Sequence, residues 1–337
     1  MNLTNNNVFS NKVANMHIGI AGISLGFLSI SSTLVEYNIL WLRYIALVFA
    51  IVCLSLLAAK ITLFPEKIKD ELKDPSLGCV YPTIFMTLMV ISSFIAEFNL
   101  TIGRILWISA TVMHFITFIL FAVEMSKDFK LEKMLPSWFI PTVSIGLSAG
   151  TSKSMAMPTT AKIFFCYSFT MYLIVFPLML YRLICKDKID ESKMATLMVI
   201  VAPTNVCLSG YFIIAPNPNP VFVGVLSIIS YLSLFYGYYI LPQLTKLPFS
   251  PSLASLTFPL AVNVVACQRL ASYLGNIGSS LEILVREFLE LQLPIALGVI
   301  LYIVVQTVIW LVETLFKEEI EMIEEFNLEN KLMDDLI

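Results

Sequence analysis

Ten strongly apolar segments follow one another along this chain, separated by short polar connections. A helix needs about 20 apolar residues to cross the hydrocarbon core of a bilayer, so segments of this length predict membrane-spanning helices. The predicted spans are residues 14–34, 39–63, 75–96, 102–123, 136–151, 161–184, 194–215, 221–241, 249–274 and 291–316. The fifth has fewer strongly apolar residues, and its place in a repeat identifies it as a span. We therefore predict an all-α integral membrane protein with ten transmembrane helices.

The composition leaves no room for a separate soluble domain. Charged residues make up 13% of the chain and hydrophobic residues 58%, whereas a soluble chain has about 25% charged residues and is about half apolar. We predict a cytoplasmic N-terminal segment at residues 1–13, a transmembrane domain at 14–316 and an acidic cytoplasmic tail at 317–337. The Asn-rich start lacks the small-residue pattern of a signal-peptide cleavage site, so the first apolar segment is expected to be the first span.

The distribution of basic residues predicts the orientation in the membrane. With ten spans, both termini and the connections after the second, fourth, sixth and eighth spans share one side. That side holds 15 of the 21 Lys and Arg residues, and cytoplasmic loops carry an excess of Lys and Arg. The sequence therefore predicts a multi-pass protein of the inner or plasma membrane with both termini in the cytoplasm.

Prolines recur inside the apolar segments at a nearly constant interval. Pro82, Pro141, Pro203 and Pro259 are separated by 59, 62 and 56 residues. A proline inside a helix removes a backbone hydrogen bond and costs about 3 kcal/mol, which backbone lining a cavity tolerates but lipid-facing backbone does not. Kinked helices alternating with mostly unbroken ones predict a pore built from repeated hairpins. One interval before Pro82 lies Gly22, which is expected to replace the proline in the first span.

The sequence contains no pattern typical of an enzyme, a metal site or a nucleic-acid-binding protein. The six cysteines form no CxxC pair, and the chain has no phosphate-binding glycine loop, no GxSxG motif and no paired carboxylates. His114 lies within the fourth span, either as a hydrogen-bonded helix-contact residue or as a group that binds a proton or a ligand. We predict no catalytic activity, no cofactor, no metal and no nucleic-acid partner.

Small hydroxyl side chains are the candidate lining of the pore. Ser24, Thr83, Ser144, Thr204 and Thr257 lie in the predicted kinked spans, where such groups solvate an ion without holding it tightly. The alternative for each of them is a hydrogen bond that joins two helices. Two basic residues near the predicted outer surface, Arg43 and Arg269, are candidates for attracting anions at that mouth; the alternative is that they lie at the lipid interface.

The ninth span holds an aromatic residue beside its proline. Phe258 precedes Pro259, and both are expected near the centre of the bilayer. A bulky apolar ring at a constriction gates a pore by occlusion or dewetting. From the residues alone, the alternative is that Phe258 is an ordinary phenylalanine packed in the protein core.

Four motifs, in order along nearly the whole chain, resemble those of the tellurite-resistance/C4-dicarboxylate transporter family, which includes plant slow-type anion channels. They are residues 74–83 (Asp-Pro, then Tyr-Pro-Thr), residues 136–146 (Pro-Ser-Trp-Phe-Ile-Pro, then Gly), residues 202–211 (Ala-Pro-Thr, then Gly-Tyr) and residues 257–260 (Thr-Phe-Pro-Leu). The resemblance implies five helical hairpins around a quasi-fivefold pore, with odd helices inside and even helices outside. It also implies homotrimers and a pore plugged by Phe258. The first span departs from the family pattern because it has no proline.

The resemblance leaves two functions open. One is a passive channel for small inorganic or carboxylate anions; the other is a coupled carrier of malate-like dicarboxylates or a tellurite-resistance exporter. Coupled carriers commonly hold an ionisable group near the middle of the membrane, and the predicted pore helices have none. The sequence therefore favours the channel. A helical membrane scaffold is disfavoured, because it has no need of repeated broken helices.

Overall fold

The computed structural model describes residues 11–334, with side chains described through residue 316. Within this range the chain is helical and contains no strand. Nine helices among the described residues are long and apolar enough to cross a membrane. They are α1 (Gly19–Tyr37), α2 (Trp41–Leu63), α3 (Gly78–Ala96), α4 (Leu100–Ser126), α6 (Pro158–Cys185), α7 (Glu191–Ile214), α8 (Pro220–Leu244), α9 (Pro251–Asn276) and α10 (Leu281–Phe316). We use α5 for the run of short helices at residues 136–155, which lies between α4 and α6.

The fifth predicted span differs from the other nine because it is broken into pieces. It consists of the short α-helices Phe139–Thr142 and Leu147–Thr151 and of three 3₁₀ turns, Pro136–Trp138, Ser144–Gly146 and Ser152–Met155. None of these pieces is long enough to cross a bilayer by itself, so the predicted count of ten transmembrane helices is not confirmed in the described residues.

The α5 pieces nevertheless run side by side with α4. The Trp138 ring contacts Phe121 near the end of α4, with 5.1 Å between ring centroids. At the other end of α5, Arg104, near the start of α4, donates from Nε to the carbonyl of Met155 at 2.6 Å. The segment is therefore antiparallel to α4 and extends along most of its length.

The helices form two layers, as predicted. In the apolar 18-residue stretch of each helix, 56–83% is buried in α1, α3, α7 and α9. In α2, α4, α6, α8 and α10, 28–33% of that stretch is buried. Each odd element packs against the next one, and α9 packs against α1, so α1, α3, α5, α7 and α9 form a closed ring. Each even helix packs on the odd element that precedes it. The fold is therefore a ring of five hairpins with the even helices facing the lipid.

The prolines occupy positions that differ from the predicted pattern. Pro82 and Pro203 lie in the first turn of the α-helical parts of α3 and α7, directly after 3₁₀ segments, where a missing N–H removes no helical hydrogen bond. Even helices also contain internal prolines, namely Pro177, Pro242 and Pro294. The contrast between layers lies instead in the 3₁₀ segments that α3, α5, α7 and α9 contain, while α2, α4, α6 and α8 are single α-helices.

A short helix after α2, Pro65–Lys73, is fixed to the ring by a buried ion pair. Lys60 donates to the Glu71 carboxylate at 2.7 Å and to the carbonyl of Met16 at 2.8 Å. Tyr81 donates from its hydroxyl to the same carboxylate at 2.6 Å. These bonds join the ends of α1, α2 and α3 on one side of the ring.

The termini are described only in part. The helix of α10 continues to Asp334, with one non-helical residue at Phe316. The predicted cytoplasmic segment 1–13 falls mostly outside the described residues, as do residues 335–337 of the predicted acidic tail.

Candidate pore and its constriction

Two cavities lie along the axis of the ring and meet at Phe258. The N-terminal parts of the odd elements line one of them, which we call the N-side cavity. The C-terminal parts line the other, which we call the C-side cavity. Their volumes are about 260 Å³ and about 730 Å³. All five odd elements line both cavities. Among the described residues, Phe258 is the one that lines both, so its side chain lies where a continuous passage would run.

An apolar constriction surrounds the Phe258 ring. Phe258 is 7% exposed and packs in a cluster of buried side chains from α1, α3, α7 and α9, namely Leu25, Met86, Ala202, Val206 and Val262. Ile140 and Leu147 of α5 and Val90 of α3 pack against this cluster. Every odd element therefore contributes to the constriction. A narrow apolar constriction of this kind blocks ions, because it offers no polar group to replace their hydration shell.

The local structure of α9 places Phe258 on the face toward the axis. The element begins with a 3₁₀ turn, Pro251–Leu253, and continues as an α-helix from Ala254. Pro259 has no N–H, so the carbonyl of Ser255 lacks its usual partner within the helix. Both Ser255 and Pro259 line the N-side cavity. The position of the ring therefore depends on a helix whose backbone faces a cavity and not lipid.

Charged side chains line both cavities, with an excess of positive charge. The N-side lining contains Lys193 and His17 and no Asp or Glu among the described residues. The C-side lining contains three cations, Arg43, Lys153 and Arg269, and two acids, Glu36 and Glu97. Clefts lined by one sign of charge raise the local concentration of ions of the opposite sign. Each lining therefore carries an excess of positive charge, which comes from Lys193 on the N-side and from one more cation than acid on the C-side.

Two of the C-side cations are held by hydrogen bonds. Arg43 forms a bidentate ion pair with Glu97, with N···O distances of 3.1 and 2.5 Å, and its guanidinium lies 4.7 Å from the Phe94 ring centroid. Arg269 donates from Nη1 to the carbonyl of Ser209 at 2.8 Å and to its hydroxyl at 2.6 Å, and from Nη2 to the carbonyl of Gly150 at 3.0 Å. Arg43 is therefore neutralised by a carboxylate, and Arg269 is not.

Comparison with known proteins agrees with this geometry. Residues 13–316 match the model of the SLAC1 family, described as voltage-dependent anion channel. The chain belongs to the SLAC1 family. The matched residues include the nine long helices and the broken segment α5.

Individual relatives of this chain in the SLAC1 family are distant. A tellurite resistance protein TehA homolog of Haemophilus influenzae is 22% identical, over 88% of this chain and 95% of the relative. Two uncharacterized transporters of Methanocaldococcus jannaschii are 24% and 23% identical, each over 60% of this chain and over 67% and 66% of their own lengths. The family is one of anion channels and transporters, and this member is a multi-pass membrane protein.

The structure divides the five candidate lining hydroxyls into two groups. Thr83 and Ser144 line the N-side cavity. Ser24, Thr204 and Thr257 are not among the residues that line either cavity, and each is completely buried. The Thr204 hydroxyl lies 3.0 Å from that of Tyr172 on α6, and Ser24 donates to the carbonyl of Ile20 at 2.8 Å. Hydroxyls that face a neighbouring helix or their own backbone stabilise helix packing and do not face the axis.

Gly22 and the four repeated prolines also differ in their surroundings. Gly22 lies in the continuous α-helix of α1 and lines the N-side cavity, with a Cβ position 3.1 Å from Ala254. Pro259 lines the same cavity, whereas Pro82, Pro141 and Pro203 are absent from the lining of both. Gly22 therefore allows α1 and α9 to approach closely. Whether it also bends α1 stays a prediction.

Five charged or titratable lining residues were not identified from the sequence as site residues: His17, Glu36, Glu97, Lys153 and Lys193. The spacing of residues along α9 predicts part of the C-side lining. Four residues that follow Phe258 at helical intervals line that cavity, namely Val262, Val265, Arg269 and Ser272. No local pattern marks Lys153 or Lys193, which face the axis because of how α5 and α7 pack. His114 is completely buried and lines neither cavity.

Proposed function

We propose that this protein is a passive anion channel whose closed pore is plugged by Phe258. The observation that carries the proposal is the meeting of two cavities, each lined with an excess of positive charge, at that one ring. Removal of the ring would join the cavities into a passage along the axis. The ligands are small inorganic or carboxylate anions, for which Lys193 on one side and Arg269 on the other provide positive charge.

The absence of a titratable side chain in the constriction supports a channel over a coupled carrier. The cluster around Phe258 consists of Leu, Met, Val, Ile and Ala side chains among the residues described. A carrier driven by protons needs a group that gains and loses a proton at the point where access alternates. His114 is not among the residues that line the two cavities, so we assign it no role in coupling.

We further propose that α5 is a tenth crossing of the membrane. Ser137 and Ser144 of α5 line the N-side cavity, and Gly150 and Thr151 line the C-side cavity. The segment thus passes from one side of the constriction to the other. With ten crossings both termini share one side, and the Lys and Arg distribution assigns that side to the cytoplasm. The trimer and the location in the cell membrane remain expectations from the family resemblance and from the charge distribution.

Current recording from the reconstituted protein tests the channel. Purified protein in a planar bilayer under a chloride gradient is expected to give a small current, and the Phe258→Ala variant a current more than about tenfold larger. A reversal potential near that of chloride identifies the anion as the carrier of charge. The matched control is Phe27→Ala, because Phe27 is also buried but contacts Phe49 of α2 and lines neither cavity.

The outcomes separate the two functions. A larger Phe258→Ala current, with an unchanged Phe27→Ala current, supports the plugged channel. A well-folded Phe258→Ala protein with no gain in current refutes the plug. Uphill anion uptake driven by a proton gradient alone would establish a coupled carrier in place of a channel.

A further inference from the structure

A third cavity, which we call the side cavity, adjoins the C-side cavity. This side cavity has a volume of about 730 Å³ and lies between the C-terminal ends of α7 and α9 and the connection from α7 to α8. Three residues line both it and the C-side cavity: Lys153, Arg269 and Ser272. Two cations and one hydroxyl therefore meet at the junction of the two cavities. We call this trio the junction site.

Arg269 has hydrogen-bond donors to spare at the junction site. A guanidinium carries five N–H donors, and three hydrogen bonds, to Ser209 and Gly150, occupy Nη1 and one position on Nη2. Within residues 11–316, the Nε–H and the second Nη2–H have no protein acceptor. These bonds also fix the plane of the group, since they join it to both α5 and α7.

The positive charge of the junction site is not neutralised by the protein. Among the residues that line the side cavity, none is Asp or Glu. Glu97 of the C-side cavity is already paired with Arg43, and Glu36 is exposed to solvent. Within residues 11–316, neither Arg269 nor Lys153 takes part in an ion pair. Arg269 is partly buried and has no ion-pair partner, whereas charges removed from bulk water are normally paired. Lys153 is exposed and adds a second unpaired cation to the lining of the same junction, so the junction calls for an anion.

We propose that Arg269, Lys153 and Ser272 form a binding site for a small oxyanion of the nitrate or carboxylate type. Donors on neighbouring nitrogens of a guanidinium match two oxygens of a planar oxyanion, one donor to each oxygen, whereas a spherical halide offers a single acceptor atom. The Lys153 ammonium and the Ser272 hydroxyl supply further donors. The inference deepens the proposed channel function and rests on it for the class of ligand. The site lies about three helical turns beyond Phe258 on the same face of α9.

A purely structural role for Arg269 is the main alternative. Its three hydrogen bonds join α5, α7 and α9, so its replacement alters packing as well as charge. Lys153 resolves the ambiguity, because its side chain is exposed and forms no hydrogen bond or ion pair within the described part of the chain. Replacement of Lys153 changes the charge of the junction site and leaves the helix contacts in place.

The test is nitrate binding to the purified full chain in a neutral detergent. The melting temperature is measured as nitrate replaces chloride at constant ionic strength, and the apparent dissociation constant follows from the stabilisation. We expect Lys153→Gln and Arg269→Gln each to raise that constant about tenfold, equivalent to about 1.4 kcal/mol. The matched control is Lys162→Gln. Lys162 is an exposed cation near the start of α6, and it lines neither the C-side cavity nor the side cavity.

Each outcome decides a different point. Equal nitrate affinity in the wild type, Lys153→Gln and Lys162→Gln overturns the junction site. If chloride and nitrate stabilise the protein equally, the oxyanion preference is wrong. If only vesicles of anionic lipid stabilise the protein, the site binds a lipid headgroup. Because binding is measured without conduction, a Phe258→Ala current without nitrate binding refutes the site alone. Nitrate binding without a Phe258→Ala current refutes the channel alone.

Discussion

The hydroxyl of Thr257 donates a hydrogen bond that is shared between the backbone carbonyl of Gly22, 3.1 Å away and 235 residues earlier in the chain, and that of Ala254 in its own helix, 2.8 Å away. This bond joins the first and last odd elements and closes the ring. It is accessible only because Gly22 and Gly26 have no side chains on the face of α1 that meets α9. The residue next to Phe258 is therefore anchored to the neighbouring element α1, and the position of the plug is tied to ring closure.

The close approach of α1 and α9 predicts that Gly26→Ala destabilises the protein. A Cβ at Gly26 would overlap the Cβ of Thr257, and overpacking of this kind costs about 1–3 kcal/mol. The matched control is Gly224→Ala in α8, where an added Cβ meets nothing within 4 Å. Urea or thermal unfolding in detergent is expected to show a loss for Gly26→Ala only. Equal stability of the two variants would contradict the close contact.

The division of the candidate hydroxyls predicts which positions water-soluble reagents reach. In a background that lacks the two exposed cysteines, Cys166 and Cys185, a charged thiol reagent is expected to modify Thr83→Cys and Ser144→Cys. Thr204→Cys and Thr257→Cys are expected to stay unmodified until the protein is denatured, because these positions are completely buried between helices. Mass spectrometry of the intact protein measures the modification.

Modification at position 204 or 257 in the folded protein would place that side chain in the pore. Exclusion of the reagent from both positions 83 and 144 would mean that the N-side cavity is closed to solvent.

The volume of the side chain at position 258 is expected to set the resting current. The order of current predicted for this position is Phe, then Leu, then Ala, with Ala largest, because each smaller side chain leaves a wider gap in the apolar constriction. Every factor of ten in current requires a barrier lower by about 1.4 kcal/mol. Single-channel recording checks the series. A current that does not depend on volume would indicate that other constriction residues block the pore.

The surroundings of His17 predict a loss of stability at acidic pH. Burial of the imidazole, together with the nearby Lys60 ammonium, lowers the pKa of His17 below 6.5, and Glu71 opposes the shift only in part. The Nδ1 atom accepts a hydrogen bond from the Gly19 N–H at 2.9 Å, which requires Nδ1 to be unprotonated.

Because the folded state binds fewer protons at His17 than the unfolded state, this contribution is present above pH 6.5 and is lost as the pH falls. Lys193 lines the same cavity and adds a further positive charge. The expected result is a shallower decline in melting temperature between pH 7 and pH 5 for His17→Gln than for the wild type. Parallel curves for the two proteins would exclude this role for His17.

The sequence alone determined the class of fold and the placement of the gate candidate. Apolar length fixed nine of the ten elements, because a bilayer requires a minimum run of apolar residues whatever the tertiary contacts. The interval between prolines identified the odd elements, and the family resemblance of the Thr-Phe-Pro-Leu motif in α9 singled out Phe258 as the candidate plug. These properties are local, because each depends only on a short stretch of sequence.

Only the tertiary structure decided which side chains face the axis. Thr83 and Thr257 have the same chemistry and similar positions in their elements, yet one lines a cavity and the other closes the ring. The internal prolines of α6, α8 and α10 show the same limit, since a proline tolerated in an outer helix has the same local sequence signal as one beside a cavity. The meeting of Lys153 with Arg269 depends on how α5 packs against α9, because residues 116 positions apart come together only through packing.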